Sequence, residues 1–468
     1  MSASSEHSEA GAQIARGAAV VGAGTLGSRI LGMVRDVVIA AHFDRGTTDV
    51  FFTAFTIPNV FRRLLGEGAM TPAIVPVYTG VRAGEGEGAA RRFVGSAFGL
   101  GFVLLVAVAL LGAVLSPWIV TAYAWGFQRD PEKFSLCVSL TRALWPFLVF
   151  IGLCAIAMGI LNAHRRFFWP AFSPALLNLA IIAATLAGAS RLDAAGHNPV
   201  WALAIGVLLG GALQFAAHLL PLRRIDRLPA PSLRSGPAIR QVAGLLGPSV
   251  LGMVLYQVDI LLTRFFASML DEGSVTYLFY AARLVELPQA LFAMAVATAA
   301  LPRLSQAEAA SDRDETKRTW RRSISMSSFV ALPAFAALAV MAEPVVAVLF
   351  QRGEFDREMT VHTASALVWC AAGIPGVAGV RNTTQLFFAL RDARTPVRLS
   401  FLNLVVFVTL CLSLMWRLGH VGIAIASGVT PNVQFAVQLA VLRRRIGPLG
   451  LREVAAEAIR HAVAATAM

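Results

Sequence analysis

The chain has 468 residues, of which 57% are hydrophobic and 14% charged, and its mean hydropathy is +0.67. A soluble domain carries about 25% charged residues, so composition excludes an ordinary soluble domain and points to a membrane protein. The net charge of +13 does not indicate nucleic acid, because the basic residues sit mostly between apolar stretches, where they act as topology signals and lipid-surface contacts.

The N-terminal stretch 1–16 is polar and includes Glu6 and Glu9, unlike the basic start of a signal peptide, and the apolar run that follows is too long for one. Lipid offers backbone groups no hydrogen-bond partners, so a span needs roughly 20 apolar residues. Twelve such segments are predicted: 17–41, 49–65, 93–121, 134–161, 170–190, 199–221, 238–269, 274–301, 324–350, 359–390, 396–416 and 419–442. The second is the least hydrophobic and ends at the break Gly66-Glu67-Gly68. Alternate connectors carry about 23 basic residues against about 7 on the opposite side, which predicts cytoplasmic N- and C-termini. Cys137, Cys154, Cys370 and Cys411 lie in apolar segments without CxxC spacing and read as small buried hydrophobes.

An internal repeat links the two halves. Pro76 and Pro302 are separated by the same interval as Pro170 and Pro396, each pair marking the same relative place beside an apolar segment. The expected domains are a polar N-terminus 1–16, a six-helix lobe 17–221, a linker 222–237 and a second six-helix lobe 238–442. A basic tail, or the start of a further helix, follows at 443–468. An even number of helices per half gives both halves one orientation, so the expected fold is all-α and polytopic, with two parallel six-helix bundles.

Ionisable residues inside apolar segments carry the chemistry. Arg29, Arg35 and Asp36 fall in the first span, Asp49, Arg62 and Arg63 in the second with Glu67 just beyond, and Asp259 and Arg264 in the seventh. Arg142 is in the fourth span, Arg283 and Glu286 in the eighth, and Arg381 in the tenth. One arginine at mid-bilayer costs roughly 3 kcal/mol on insertion scales. Arg29, Arg35 and Arg283 are therefore expected to line a hydrated cationic cavity. Local pairing is the competing reading, since Arg35 adjoins Asp36, and Arg283 and Glu286 have the i,i+3 spacing of a helix-surface pair. For Arg62 and Arg63, snorkelling and cavity lining stay open, whereas Arg142 and Arg264 are expected to anchor span ends. A planar guanidinium bonds two phosphate oxygens at once, so such a cavity implies an anionic, amphiphilic cargo. The Gly66-Glu67-Gly68 break, followed by Pro72 and Pro76, is either a plain helix break or a gate latched by Glu67.

Other signals do not hold. Gly22-Ala23-Gly24-Thr25-Leu26-Gly27 matches GxGxxG, but a Rossmann fingerprint needs a βαβ unit and here the apolar run continues, so close helix packing is expected. There is no Walker A sequence, no HExxH and no GxSxG. No cofactor, no metal and no enzyme activity are expected.

The run Ser28-Arg29-Ile30-Leu31-Gly32-Met33-Val34-Arg35-Asp36, with Thr48-Asp49-Val50-Phe51-Phe52, Ile57-Pro58-Asn59, Phe61-Arg62-Arg63-Leu64 and Gly66-Glu67-Gly68-Ala69, resembles the signature of the MurJ/MviN family. Tyr280 to Pro288 and Asp392-Ala393-Arg394-Thr395-Pro396 resemble its later landmarks, so the likeness spans about residues 17–445. The resemblance implies a MOP-superfamily transporter of the bacterial inner membrane that flips lipid II, the undecaprenyl-diphosphate-linked precursor of peptidoglycan. It also implies that Arg29, Arg35, Arg62 and Arg283 face the diphosphate, and that Asp49, Glu67, Arg63, Asp36 and Glu286 belong to portal and gate. Membrane lipids and enzymes of cell-wall synthesis are the further partners implied. Family members usually have fourteen spans, so the tail groove of the last two is expected to be truncated or lost here. Sodium coupling in some relatives uses positions that fall near Thr263, Phe407 and Cys411, with Asp259 one turn away from the expected acid; a sodium site needs several convergent oxygens, so none is expected here. The rival functions are a flippase for another polyprenyl-diphosphate glycan, a drug exporter (disfavoured by arginines in place of carboxylates), a non-transporting scaffold of cell-wall synthesis, and a glycan polymerase using Asp49.

Overall fold

The computed structural model describes residues 2–64, 70–225, 229–289 and 294–466, without the side chains of 2–20, 248–256, 294–299, 465 and 466. Every regular element among the described residues is a helix. Eight helical segments there are long and apolar enough to cross a membrane, and they carry exposed Leu104, Leu110, Val114, Phe329 and Phe401. The fold class is that of a polytopic all-α membrane protein.

The chain forms two compact units, Met1–Leu261 and Leu262–Met468. In the first, α1 (Ser2–His42) packs on α6 (Phe168–Ala194), which packs on α7 (Trp201–Ile225). In the same unit α3 (Met70–Tyr123) lies against α5 (Pro146–Ala163), and α2 (Arg45–Arg62) against α4 (Pro131–Leu144). The boundary between the units falls inside α8 (Pro237–Ser268). In the second, α9 (Ser274–Pro288) meets α13 (Arg357–Ala371), and α10 (Met294–Ala309) meets α11 (Arg313–Val340) and α14 (Ile374–Ala389). There α12 (Ala342–Phe350) precedes α13, and α15 (Arg394–Leu418) pairs with α16 (His420–Ile446). The last helix, α17 (Leu451–Thr466), docks on α11, sealing a core of Trp320, Ile324, Leu386, Phe387 and Leu442.

Several predicted single spans are broken in two. Segment 134–161 divides between α4 and α5 at Trp145-Pro146, where Pro146 supplies no N–H to the preceding turn. Trp145 turns there onto α3, its indole donating to Ser116 Oγ at 3.1 Å. Segment 359–390 divides at Ala372-Gly373, before Pro375, and 324–350 divides at Met341. The predicted span 93–121 is the distal part of α3, which is interrupted only at Gly86. There φ is 82° and ψ 177°, a conformation closed to residues with a Cβ.

The interval between the paired prolines recurs in backbone detail. Asp130 caps α4, accepting from the N–H of Glu132 and Lys133. Asp356 stands one such interval further on and caps α13 by accepting from Met359 N. After α5 and α14 the chain turns through left-handed Arg165 and Arg391, again matched in position and both at φ 57°. Arg166 N donates to Leu161 O at 2.9 Å, and Asp392 N donates to Phe387 O at 2.8 Å. These are the same helix-closing bond in the two halves of the chain.

Of the GxGxxG match, Gly24 serves helix packing, while Gly22 and Gly27 face open space. A Cβ on Gly24 would stand 2.8 Å from that of Ala171 on α6, so glycine lets the two backbones close.

Candidate functional site

On α1 of the first unit, Asp36 is fully buried and Arg35 is 14% exposed. Arg35 donates from Nε (2.9 Å) and Nη2 (2.6 Å) to Asp36 Oδ1, and from Nη1 (3.0 Å) to Asn178 Oδ1 on α6. Asn178 in turn donates from Nδ2 to the Ser28 carbonyl at 3.0 Å, so one amide ties α6 to two points on α1 about two turns apart. A buried carboxylate is tolerable only when paired and hydrogen-bonded, and Arg35 provides both. These bonds engage three of its five N–H groups. The neighbouring Arg29 is half-buried and has no hydrogen-bond or ion-pair partner among the described residues.

The second predicted cluster lies on α2. Asp44 caps this helix, accepting from Thr47 N at 2.9 Å, and its first turns pass into the core through Asp49, Phe51 and Phe52. Asp49 is 2% exposed and pairs with Lys133 Nζ of α4 at 3.2 Å. The Lys133 ammonium also sits over the Phe127 ring, 4.9 Å from its centroid. The sequence places Lys133 in a topology-setting connector; folding makes it the counter-ion of the acid. The pairing leaves no sequence signal, because 84 residues separate the two groups. Near the far end of α2, beyond Pro58, Arg62 Nε donates to Asn59 Oδ1 at 3.0 Å, and half-buried Arg63 follows the last residue. The Glu67 gate residue and its flanking glycines lie outside the described residues.

In the second unit Arg283 Nη1 meets Glu286 Oε2 at 3.2 Å on α9, the local pair that the spacing allows. Arg381 Nη1 donates to the Gln289 carbonyl at 3.3 Å. Arg264, expected as an interfacial anchor, is instead 8% exposed: Nη1 donates to the Val275 carbonyl at 2.8 Å and the guanidinium lies 5.3 Å from the Phe279 ring. Helix α9 folds back over the end of α8 and supplies both partners, so this side chain has no need to reach water. Arg142 is exposed, and its Nε donates to the Ala113 carbonyl at 3.3 Å.

The structure thus brings Arg35, Asp36 and Asn178 together, and Asp49 and Lys133 together, in one unit. Arg283 and Glu286 form their pair in the other. In each case a guanidinium or ammonium is held beside a carboxylate, which offsets the cost of keeping a charge among apolar helices.

The profile of the family described as Lipid II flippase MurJ matches residues 39–468, beginning just after Arg29, Arg35 and Asp36. The chain is 33% identical over 427 residues to the lipid II flippase MurJ of Burkholderia cenocepacia, covering 90% of this chain and 82% of that protein. It is 35% identical over 430 residues to the probable lipid II flippase MurJ of Rhizobium meliloti, covering 91% and 79%. Among solved structures, a lipid II flippase MurJ in an inward closed conformation superposes with a TM-score of 0.80 at 24% identity, covering 96% of this chain and 91% of that one. An inward-facing multidrug resistance MATE transporter of the MOP superfamily superposes with a TM-score of 0.72 at 15% identity, covering 90% and 95%. The matching helical fold and the sequence identity across nine-tenths of its length lead to one assignment: this chain belongs to the lipid II flippase MurJ family.

Proposed function

We propose that this protein flips lipid II from the cytoplasmic to the periplasmic leaflet of the bacterial inner membrane, with both termini in the cytoplasm. The family match over residues 39–468 carries the reading. Two parallel six-helix bundles, 17–221 and 238–442 joined by 222–237, alternate access to the cargo. The guanidinium groups of Arg29, Arg35, Arg62 and Arg283 contact the diphosphate during the cycle. Arg29 has no competing partner among the described residues, and Arg35 keeps N–H groups beyond those used by Asp36 and Asn178. Asp36, Asp49, Arg63, Glu67 and Glu286 govern the portal and the gate. Enzymes that make or consume the precursor are the proposed protein partners.

In a strain depleted of its own flippase, the unaltered gene restores growth, and lipid II becomes accessible at the outer leaflet. Arg29→Ala and Arg283→Ala each abolish rescue at unchanged membrane levels. Normal growth of both variants overturns the site assignment, and movement of a different polyprenyl-diphosphate glycan with lipid II left untouched overturns the cargo.

A further inference from the structure

We infer that Lys133 is a positioning residue for transport: through its buried ion pair with Asp49 it clasps the first turns of α2 and thereby sets the path of the Arg62-bearing end. The inference rests on the lipid II reading for its transport readout.

The clasp has two points. Asp49 is bound by Lys133 Nζ at 3.2 Å, and one turn further the Thr53 carbonyl accepts from the Tyr123 hydroxyl at 2.6 Å. Both donors come from the α3–α4 corner, so α2 is tied to that corner on two successive turns. Beyond the clasp, Pro58 cannot donate to the Ala54 carbonyl and loosens the helix just before Asn59 and Arg62. The clasp thus fixes where α2 starts, and the last turn beyond Pro58, which carries Arg62 and packs through Phe61 on Trp145 (ring centroids 5.9 Å), takes its position from it.

The second unit shows that packing alone does not need this charge pair. The capping residues Asp130 and Asp356 put Lys133 and Met359 at matched positions, and Met359 is 2% exposed. The partner helix there, α9, has no acid in its opening run Ser274-Val275-Thr276-Tyr277-Leu278-Phe279-Tyr280-Ala281, and it still packs against α13. A buried ion pair is commonly replaceable by apolar residues without loss of stability, so an ion pair at this register marks a demand other than folding.

The test copies the second unit into the first. Asp49→Leu/Lys133→Met is compared with Lys133→Met, with Lys133→Arg and with the swap Asp49→Lys/Lys133→Asp. Each is made in a cysteine-free background carrying Ile57→Cys on α2. The readouts are membrane level, thermal unfolding, outer-leaflet accessibility of lipid II, and the alkylation rate at position 57 with a soluble maleimide. The apolar pair is expected to unfold no earlier than the parent while transport falls about tenfold or more and the alkylation rate shifts at least about threefold. Lys133→Arg and the swap restore both readouts most of the way. Parental transport by the apolar pair overturns the inference, and so does lost transport with unchanged alkylation, since the pair would then act other than through α2. Should the apolar pair fail to reach the membrane, the swap decides: recovery relative to Lys133→Met supports the clasp and no recovery overturns it. If the parent itself moves no lipid II, the function proposed above fails while the alkylation comparison still tests the clasp.

Discussion

Asp392 shows how much one side chain of a family landmark does. Its Oδ1 accepts from the N–H of Arg394 (3.1 Å) and Thr395 (3.0 Å), its Oδ2 accepts from Thr395 Oγ1 (2.6 Å), and Arg445 of α16 completes an ion pair. The Thr395 hydroxyl foremost, with its N–H and Arg445, holds the carboxyl down at about 2 against an ordinary 3.8. Asp392→Ala removes a helix-capping acceptor and should destabilise the protein by about 1 kcal/mol or more, read as earlier thermal unfolding in detergent. A lowered folded pKa stabilises above the unfolded value. The ion-pair advantage of wild type over Asp392→Asn is therefore full above the ordinary 3.8 and fades as pH falls towards about 2. Arg35 is the other instructive residue, since pairing with its sequence neighbour is only part of its environment. Asp36 takes two of its N–H groups, and Asn178, invisible in sequence because it is 143 residues away, takes a third.

At the scale of helices, glycine decides where backbones meet. Gly24 faces Ala171, whereas Gly22 in the same GxGxxG match has open space around its Cβ position. Gly24→Ala should cost about 1–3 kcal/mol through overpacking. Gly22→Ala should be neutral or slightly stabilising, because alanine is the better helix former. The same logic binds α16 to α13, where a Cβ on Gly428 would run into the Trp369 carbonyl oxygen. Gly428→Ala is expected to lower thermal stability and membrane yield more than Gly24→Ala, since a backbone carbonyl has less room to yield than a side-chain methyl. Helix breaks are harder to read. Apolarity runs unbroken through Trp145-Pro146 and Ala372-Gly373, so hydropathy reads one span where backbone hydrogen bonding leaves two.

Across the whole molecule, the recurrence between the two halves of the chain is the organising feature. It stands in the sequence as two proline pairs, and the structure extends it to the helix caps at Asp130 and Asp356 and the left-handed turns at Arg165 and Arg391. The proposed topology makes a direct prediction. Single cysteines beside Arg165 and Arg391 should react with an impermeant maleimide only from the cytoplasmic side, and cysteines beside Arg129 and Arg352 only from the periplasmic side. Labelling of the Arg165 and Arg391 sites from opposite sides would rule out parallel halves.

Membrane class, helical fold, repeat period and family were legible in the amino-acid sequence. Each depends on local quantities: apolar length, charge alternation and motif spacing that lipid solvation imposes on any chain. Tertiary structure alone decided which charges are neighbours. It gave Lys133 to Asp49 and Asn178 to Arg35, and it buried Arg264 beneath Phe279. Such pairings depend on which helices pack and at what rotation, and no periodicity along a uniformly apolar helix records its rotation about its own axis.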